Sequence, residues 1–228
     1  MSSKILVVED EEAIRNLLVR WLTEAGFTVS SVATGNDAVD AFKAFGPSVV
    51  LMDIQLPGKD GFQLVEEIRA FSGVPIIMVT ANSAAEAMDK AFAAGADDFF
   101  EKSPWQPEKL LARIKNALKL WKTPEVEAKI LNIGPVVLDI PGHEVRKNGE
   151  RISLTPLEFK LLATLAEKPA IVFSREQLLQ DVWDYPYQGD TRLVNVHIQR
   201  LRSKIEDDPD NPTVVVTVRG IGYKAGLN

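Results

Sequence analysis

The stretch KILVVEDEEAIRNLLVRWL, residues 4–22, contains a short apolar run followed by a longer amphipathic pattern. The apolar run Ile5 to Val8 is typical of a buried strand. Apolar residues then recur at the spacing i, i+3, i+4, i+7 and i+8, which predicts a helix. They are Ile14, Leu17, Leu18, Trp21 and Leu22. A strand followed at once by a helix is the repeating unit of an α/β sheet.

The same alternation continues through the first half of the chain. Four more apolar runs predict strands, and they are Thr28 to Val32, Val49 to Met52, Ile76 to Val79 and Asp98 to Phe100. The last helix of this half is expected from about Pro107 to Trp121. Five strands alternating with five helices predict a doubly wound parallel sheet, whose site lies beyond the carboxyl ends of the strands. We expect this α/β domain to span residues 1–121.

The second half of the chain has a different pattern. A polar stretch with a proline, residues 122–129, shows no apolar periodicity and predicts a linker. Residues 130–154 then alternate in short strand-like pieces separated by glycine and proline turns. Three helices follow, the third from about Thr191 to Glu206, and a strand-turn-strand hairpin at Val214 to Lys224 comes last. We expect residues 130–228 to form an α+β winged helix-turn-helix domain.

Composition restricts the class of protein. A chain of 228 residues with 46% hydrophobic and 25% charged residues is long enough for two domains with cores of their own. It contains no cysteine, which excludes disulfides and thiolate metal sites and favours a reducing compartment. No apolar run is long enough to span a membrane, and the run at Ile5 to Val8 ends in acids, unlike a secretory signal. We therefore expect a cytoplasmic protein.

Polar side chains follow the predicted strands of the first domain where each strand ends. Glu9 and Asp10 follow the first strand, Asp53 the third, Thr80 the fourth and Lys102 the fifth. Three carboxylates in one pocket would repel one another, so the pocket implies a cation, and all-oxygen ligands favour Mg²⁺. A carboxylate beside Mg²⁺ can be a nucleophile toward phosphorus, while a hydroxyl and an ammonium can hold phosphoryl oxygens. The alternative is that these acids are solvated loop residues.

These residues, with Leu56 to Gly58 and Gly95 to Phe99, resemble the receiver domain of response regulators over residues 3–121. The resemblance implies that Asp53 is the phospho-acceptor. It also implies a set of Mg²⁺ ligands, namely Glu9 through water, Asp10, Asp53 and the backbone carbonyl of Gln55. Thr80 and Lys102 would contact the phosphoryl group. Phe99 would be the aromatic switch of the family, although an aromatic residue on such a strand is otherwise part of the core.

The chain departs from this family at the lysine. The family has proline directly after the lysine, in a cis peptide bond, whereas here Ser103 separates Lys102 from Pro104. A cis bond before a residue other than proline costs about 2.5–4 kcal/mol, so we expect Lys102–Ser103 to be trans. Either the lysine reaches the pocket through a rearranged loop, or phosphorylation is weak.

In the matching subfamily, active receivers form homodimers through charged residues on the fourth helix, the fifth strand and the fifth helix. Residues that fit this pattern are Asp97, Asp98, Arg113 and Lys115. Ala93 and Lys109, however, stand where the family carries acids, while Phe92 and Leu111 offer an apolar patch. Dimerisation through this face is therefore a hypothesis.

The third helix of the second domain has an apolar back and a polar front. Its apolar stripe at i, i+4, i+7 and i+11 must pack inward, and consists of Val194, Ile198, Leu201 and Ile205. Its front suits base edges in the major groove of DNA, and carries Arg192, Asn195, Val196, Gln199, Arg200 and Ser203. At the flanks we expect phosphate contacts from His197, Arg202 and Lys204. The alternative is a solvated charged helix, with His197 as a packed residue.

Arg219, at the tip of the hairpin, is placed to enter a minor groove or to bind a phosphate. The sequences Leu154 to Phe159, Asp190 to Ile198 and Val218 to Tyr223 resemble the effector domain of the OmpR/PhoB family, and within it the actinobacterial MtrA branch. The resemblance implies binding to direct repeats in promoter DNA as a head-to-tail dimer. It also implies that the loop Asp184 to Gly189 can touch RNA polymerase.

The leading hypothesis is a two-component response regulator, not an enzyme, whose DNA binding rises when a sensor histidine kinase phosphorylates Asp53. One alternative is a regulator that binds DNA without phosphorylation control, which the position of Ser103 motivates. The other is a Mg²⁺-dependent phosphatase with a strand-end aspartate nucleophile. Such enzymes usually have an acid two residues after the nucleophile, where this chain has Gln55.

Overall fold

Five short apolar segments form the parallel sheet of the first unit in this computed structural model, which describes residues 2–81, 85–121, 129–183 and 191–226. The strands are β1 (Lys4–Val8), β2 (Thr28–Val32), β3 (Val49–Met52), β4 (Ile76–Thr80) and β5 (Asp98–Glu101). Their order in the sheet is β2-β1-β3-β4-β5, and every pair is parallel. The winding reverses between β1 and β3, so the crevice beyond their carboxyl ends is where such a sheet binds ligands. The predicted doubly wound sheet is confirmed.

Five helices alternate with these strands, and they are α1 (Glu12–Glu24), α2 (Gly35–Phe45), α3 (Gly61–Arg69), α4 (Ala85–Ala94) and α5 (Pro107–Trp121). The amphipathic pattern of α1 buries Leu18 and Leu22 against the sheet, with at most 1% of either residue exposed. Leu110 and Ile114 of α5 belong to the same core cluster. Burial of these faces, rather than helix propensity, holds helices of this length in place.

The second unit begins with a four-stranded antiparallel sheet of β6 (Ile130–Ile133), β7 (Val136–Asp139), β8 (Glu144–Lys147) and β9 (Glu150–Ile152). Three helices follow, which are α6 (Pro156–Glu167), α7 (Arg175–Trp183) and α8 (Arg192–Ile205). Thr155 begins α6 with a capping box, in which its hydroxyl accepts from the Glu158 N–H and the Glu158 carboxylate accepts from the Thr155 N–H.

A three-stranded sheet completes the winged helix-turn-helix, as predicted. Its strands are β10 (Phe173–Ser174), β11 (Val215–Val218) and β12 (Gly222–Ala225), in the order β10-β12-β11. The two-residue strand β10 is too short to leave an apolar pattern, and sequence analysis missed it. Gly222 allows its close pairing, because a Cβ at this residue would lie 1.9 Å from the Phe173 carbonyl oxygen.

The chain divides into two units, Met1–Trp121 and Lys122–Asn228. Of the predicted linker, residues 122–128 lie outside the described residues, so the linker and the domain limits around it stay predictions. Within the described ranges, no helix combines the length and the apolar character needed to cross a membrane.

Candidate functional site

The carboxyl ends of the strands bring an acidic cluster together, as the sheet topology predicts. Glu9 and Asp10 directly follow β1, and Asp53 directly follows β3. One carboxylate oxygen from each of the three lies within 4.8 Å of the others. Glu9 and Asp53 are buried, at 1% and 6% exposed, whereas Asp10 is exposed to solvent. The cluster is therefore a pocket that solvent reaches from the side of Asp10.

Lys102, directly after β5, provides the positive charge in this pocket. Its Nζ lies 2.7 Å from a carboxylate oxygen of Glu9 and also donates to Oδ2 of Asp53. Burial would lower the pKa of Lys102, but hydrogen bonds and charges from Asp53 and Glu9 outweigh it and raise the pKa. Burial raises the pKa of Glu9, although Lys102 opposes that shift. The pocket thus holds more carboxylate than its own cation neutralises.

The Asp53 carboxylate has two different hydrogen-bonding environments. Oδ1 accepts from the backbone N–H of Ile54 at 2.6 Å and of Gln55 at 3.4 Å, while Oδ2 faces Lys102. The loop after Asp53 packs closely on α3, because a Cβ at Gly61 would lie 2.2 Å from the Asp53 carbonyl oxygen. Close packing and backbone donors fix the orientation of this carboxylate.

The donor set fits a hard divalent cation. Three carboxylates offer only oxygen ligands, with a single ammonium among them. Mg²⁺ prefers such oxygen ligands, and its charge would relieve the repulsion that a buried acidic cluster otherwise carries. Glu9, Asp10 and Asp53 are therefore the residues that could hold Mg²⁺. The assignment of the Gln55 carbonyl to this site stays a prediction.

The loop that carries Lys102 has its cis peptide bond between Ser103 and Pro104, one position later than the family pattern. The Lys102 N–H donates to the Thr80 carbonyl at 2.9 Å, so the lysine leaves the sheet in register with β4. The additional serine therefore does not keep the lysine out of the pocket. Thr80, at the end of β4, is 1% exposed, and Phe99 on β5 is 5% exposed.

Arg15 is a residue of this site that sequence analysis missed. Its Nη1 donates to the backbone carbonyls of both Glu9 and Asp10, each at 2.9 Å. One guanidinium from α1 therefore fixes the loop that carries two of the three acids. The sequence feature that could have identified Arg15 is a basic residue on the predicted helix shortly after an acidic pair. Many surface arginines have the same feature, so it is not specific.

The structure corrects the predicted placement of the dimer face. Asp97 is 6% exposed, forms an ion pair with Arg69 and accepts from the Ile76 N–H at 2.8 Å. Its expected position on the surface is wrong, because its charge is used inside the fold. Phe92, expected in an apolar patch, is only 2% exposed.

The other proposed residues of the dimer face have different environments. Asp98 is also buried, at 7% exposed, and forms an ion pair with Arg113 of the same chain, so its expected position on the surface is wrong as well. Lys115 is exposed on α5. Of the four residues predicted for the dimer face, only the cations Arg113 and Lys115 are at least partly exposed. Dimerisation through this face stays a prediction.

The predicted recognition helix is α8, and its apolar stripe is buried as expected. Residues of the stripe are all 0% exposed, and they are Val194, Ile198, Leu201 and Ile205. On the opposite face Arg192, Gln199 and Ser203 are exposed, while Asn195, Val196 and Arg200 are half-buried. The helix therefore presents a mixed polar face to solvent.

Two flanking residues of α8 are not on the surface, and their predicted placement is wrong. His197 is 0% exposed and faces the Trp183 ring, with 5.3 Å between the centroids. Arg202 is 6% exposed and donates to the Val215 carbonyl at 2.7 and 2.9 Å and to the Thr217 hydroxyl at 2.7 Å. Elements before and after the helix cover its flanks, so these two residues connect α8 to α7 and β11.

Glu158 is a second residue that the sequence did not reveal. It is 0% exposed, and its carboxylate lies 2.7 Å from Lys204 Nζ and 3.8 Å from Arg200 Nε. Two cations of the recognition helix are thus partly neutralised from within the domain. Lys204 retains an exposed side chain, and its predicted phosphate contact stays a prediction.

The hairpin of β11 and β12 has an exposed tip. Arg219 is exposed there, and Gly220 takes a positive φ of 76° in the turn. Glycine, which has no Cβ, adopts this conformation without strain. The loop expected to touch RNA polymerase, Asp184 to Gly189, lies outside the described residues.

Known proteins resemble the chain over both units. A family model of the response regulator receiver domain matches residues 5–115, and a model of the C-terminal domain of transcriptional regulatory proteins matches residues 149–225. The DNA-binding response regulator MtrA of Mycobacterium tuberculosis is 46% identical over 226 residues, which cover 99% of this chain and 98% of that protein.

Solved structures of full length also match. Response regulator DrrB, an OmpR/PhoB homologue from Thermotoga maritima, is 35% identical, with full coverage of both chains and a TM-score of 0.52. A mutant of RitR is 26% identical, again with full coverage of both chains, and has a TM-score of 0.76.

Proposed function

This chain belongs to the OmpR/PhoB-type response regulators, two-component transcriptional regulators that join a receiver to a DNA-binding domain, and we propose that phosphorylation of Asp53 controls its DNA binding. The observation that carries the proposal is the convergence of Glu9, Asp10, Asp53 and Lys102 at the β1–β3 crevice. A sensor histidine kinase is the expected phosphodonor, and the cytoplasm is the expected location.

The residues of the pocket have separate roles in this proposal. Asp53 is the nucleophile that accepts the phosphoryl group, since its carboxylate is held in place by backbone donors. Glu9, Asp10, Asp53 and the Gln55 carbonyl would hold Mg²⁺, which would supply positive charge against the phosphoryl oxygens. Lys102 adds an ammonium group, which forms an ion pair with the Asp53 carboxylate and can stabilise the negative charge of the phosphoryl group. The Thr80 hydroxyl is proposed as a further donor to the phosphoryl group.

Phosphorylation has to change the structure elsewhere to control DNA binding. Thr80 and Phe99 are both buried, on the paired strands β4 and β5, so a new contact at Thr80 can change how Phe99 and α4 pack. We infer that the resulting state forms a homodimer through Arg113 and Lys115 on α5. A dimer places two DNA-binding domains together and raises the effective concentration of the second.

The proposed DNA contacts come from the polar face of α8, where Arg192 and Gln199 are exposed and Val196 and Arg200 are half-buried, and from the exposed tip of the hairpin. Arg192, Gln199 and Arg200 are proposed to face the major groove, with Val196 near a thymine methyl group. Arg219 would contact a minor groove or a phosphate. Binding to direct repeats in promoter DNA, and contact with RNA polymerase through Asp184 to Gly189, complete the proposal.

Phosphorylation-independent DNA binding is a second candidate, because Ser103 moves the proline away from the lysine. The contact of Lys102 with Asp53 weakens this alternative. We further propose that the protein is not an enzyme, since Gln55 stands where a phosphatase of this type needs an acid. Turnover of a small phosphomonoester by the wild type, lost in Asp53→Asn, would contradict that.

Intact mass spectrometry tests the phosphorylation chemistry. The full chain is incubated with Mg²⁺ and a small phosphodonor such as acetyl phosphate, beside Asp53→Asn and the control Asp60→Asn, whose side chain caps α3. One added phosphoryl group on the wild type and on Asp60→Asn, and none on Asp53→Asn, supports the assignment. An adduct of the same size on all three proteins, or on none, contradicts it.

A further inference from the structure

The Oδ1 atom of Asn195 joins three elements of the second unit, namely α7, α8 and β12. This oxygen accepts a hydrogen bond from Arg175 Nε at 2.8 Å and another from the Tyr223 hydroxyl at 2.9 Å. Arg175 begins α7, Asn195 lies in the first half of α8, and Tyr223 belongs to β12. The Arg175 guanidinium also lies over the Tyr223 ring, 5.2 Å from its centroid. The two donors therefore support each other.

The chemistry of the donors fixes which end of the Asn195 amide faces them. Arginine Nε is always a donor, so the atom opposite Arg175 must be the amide oxygen and not the nitrogen. A carbonyl oxygen has two lone pairs, and Arg175 and Tyr223 use both. The Asn195 Nδ2 donates no hydrogen bond to any part of the chain that the structure describes. Asn195 is half-buried, and its Nδ2 is not one of the fully buried side-chain atoms that lack a hydrogen-bond partner within the described residues, so this nitrogen retains access to solvent.

We propose that Asn195 reads DNA only as a hydrogen-bond donor and selects a guanine or a thymine. This inference rests on the proposed entry of α8 into the major groove. Asparagine normally reads adenine with both ends of its amide, donating to N7 and accepting from N6. Asn195 has no acceptor left for N6. Its two Nδ2 hydrogens instead match the O6 and N7 acceptors of guanine, or O4 of thymine.

Gln199, one turn further along α8, provides the contrast within the same helix. It is exposed, and its amide makes no hydrogen bond within the described residues. Both ends of the Gln199 amide are therefore available, and adenine recognition remains open to it. The two amides on this helix thus differ in base specificity because Arg175 and Tyr223 occupy the oxygen of Asn195, whereas the Gln199 amide has no such partners within the described residues.

The test is selection of binding sites by the full-length, phosphodonor-treated protein from a library of random DNA duplexes. Asn195→Ala first identifies the base pair at which discrimination depends on this residue. Asn195→Asp keeps an oxygen for Arg175 and Tyr223 but replaces the free donor with an acceptor. Preference at that pair should change from guanine or thymine to cytosine or adenine, whose amino groups donate, by about tenfold. Gln199→Ala is the matched control and should change preference at a different base pair.

A second variant tests the restraint itself. In the double variant Arg175→Met and Tyr223→Phe, Asn195 regains its acceptor, and adenine should become acceptable at the same base pair. Selection of adenine at that pair by the wild type would overturn the inference. The inference would also be overturned if Asn195→Ala weakened binding to every sequence equally. Asn195 would then only connect the three elements and would not read a base. If the wild type selects no sequence, the proposed DNA recognition itself fails; if Gln199→Ala alone changes preference, only the inference about Asn195 fails.

Discussion

Lys102 and Glu9 form a buried ion pair across the top of the parallel sheet, with Nζ 2.7 Å from a carboxylate oxygen. The same ammonium contacts Asp53, so one cation lies between two acids that enter from different strands. This arrangement leaves the pocket with an excess of carboxylate and an ammonium already in contact with the proposed nucleophile. Both features suit the binding of Mg²⁺ and a phosphoryl group.

Arg15→Ala is expected to weaken Mg²⁺ binding without removing a proposed ligand. The guanidinium of Arg15 holds the carbonyls of Glu9 and Asp10, and loss of such an outer partner usually costs about tenfold or more in metal affinity. Isothermal titration of the full chain with Mg²⁺ measures the effect. Arg20→Ala is the control, because Arg20 is an exposed residue of the same helix whose ion pair with Glu24 is on the surface. Equal affinities in the two variants would contradict the role of Arg15.

Asp97→Ala is expected to destabilise the first unit by about 3 kcal/mol, because it removes the ion pair with the largely buried Arg69 side chain and the carboxylate that accepts from the Ile76 N–H. Lys115→Ala, on the exposed side of α5, should change the free energy of unfolding by less than about 0.5 kcal/mol. Urea unfolding of the full chains measures both. If Asp97→Ala is as stable as the wild type, Asp97 is not the structural residue that its burial indicates.

His197→Ala is expected to lower the free energy of unfolding of the second unit by about 2–3 kcal/mol, since it removes a fully buried ring packed against Trp183. The exposed neighbour Gln199→Ala should leave stability within about 0.5 kcal/mol of the wild type. Thermal and urea unfolding of both variants provide the comparison. The reverse order, with Gln199→Ala the less stable, would show that His197 is not part of the core.

Burial holds the pKa of His143 below its usual 6.5, beside the stacked ring of Phe159 at 4.6 Å. A histidine with a lowered pKa binds its proton more weakly in the folded protein, so it stabilises the fold above pH 6.5, and this contribution is lost as the pH falls through the folded pKa. NMR titration of the two histidines of the chain should show this, with His143→Asn for assignment. Asparagine tolerates the positive φ of 49° at this residue. A pKa at or above 6.5 would contradict the prediction.

Local patterns were sufficient for most of the fold. The strands were predictable because buried parallel strands read as apolar runs, and the stripe of α8 was predictable because i, i+4 and i+7 share one face of a helix. The acidic pocket was predictable for a related reason, since parallel strands place their carboxyl ends at one edge of the sheet. Each of these inferences needs only the residue's own element and its place in the sheet.

The errors concern residues whose partners come from distant parts of the chain. His197 and Arg202 lie at the edge of the polar face of α8, but Trp183 and β11 cover that edge. Asp97 matched a surface pattern, but Arg69 is close enough to pair with it inside the fold. The role of Arg15 was likewise not predictable from its own helix, because it depends on the position of the loop that carries Glu9 and Asp10. Periodicity assigns a residue to a face of its helix, but it does not show which other element covers that face.

The affinity of the full chain for DNA, with and without phosphorylation, tests control by Asp53 most directly. A labelled duplex, selected by the wild type from a random library, is titrated with wild type and Asp53→Asn in the presence and absence of Mg²⁺ and acetyl phosphate. We predict that the phosphodonor tightens binding of the wild type by at least about tenfold, as expected when a second domain is brought to the same DNA, and leaves Asp53→Asn unchanged. Equal affinities for both proteins under all conditions would contradict control by Asp53 and would establish a regulator that binds DNA independently of phosphorylation.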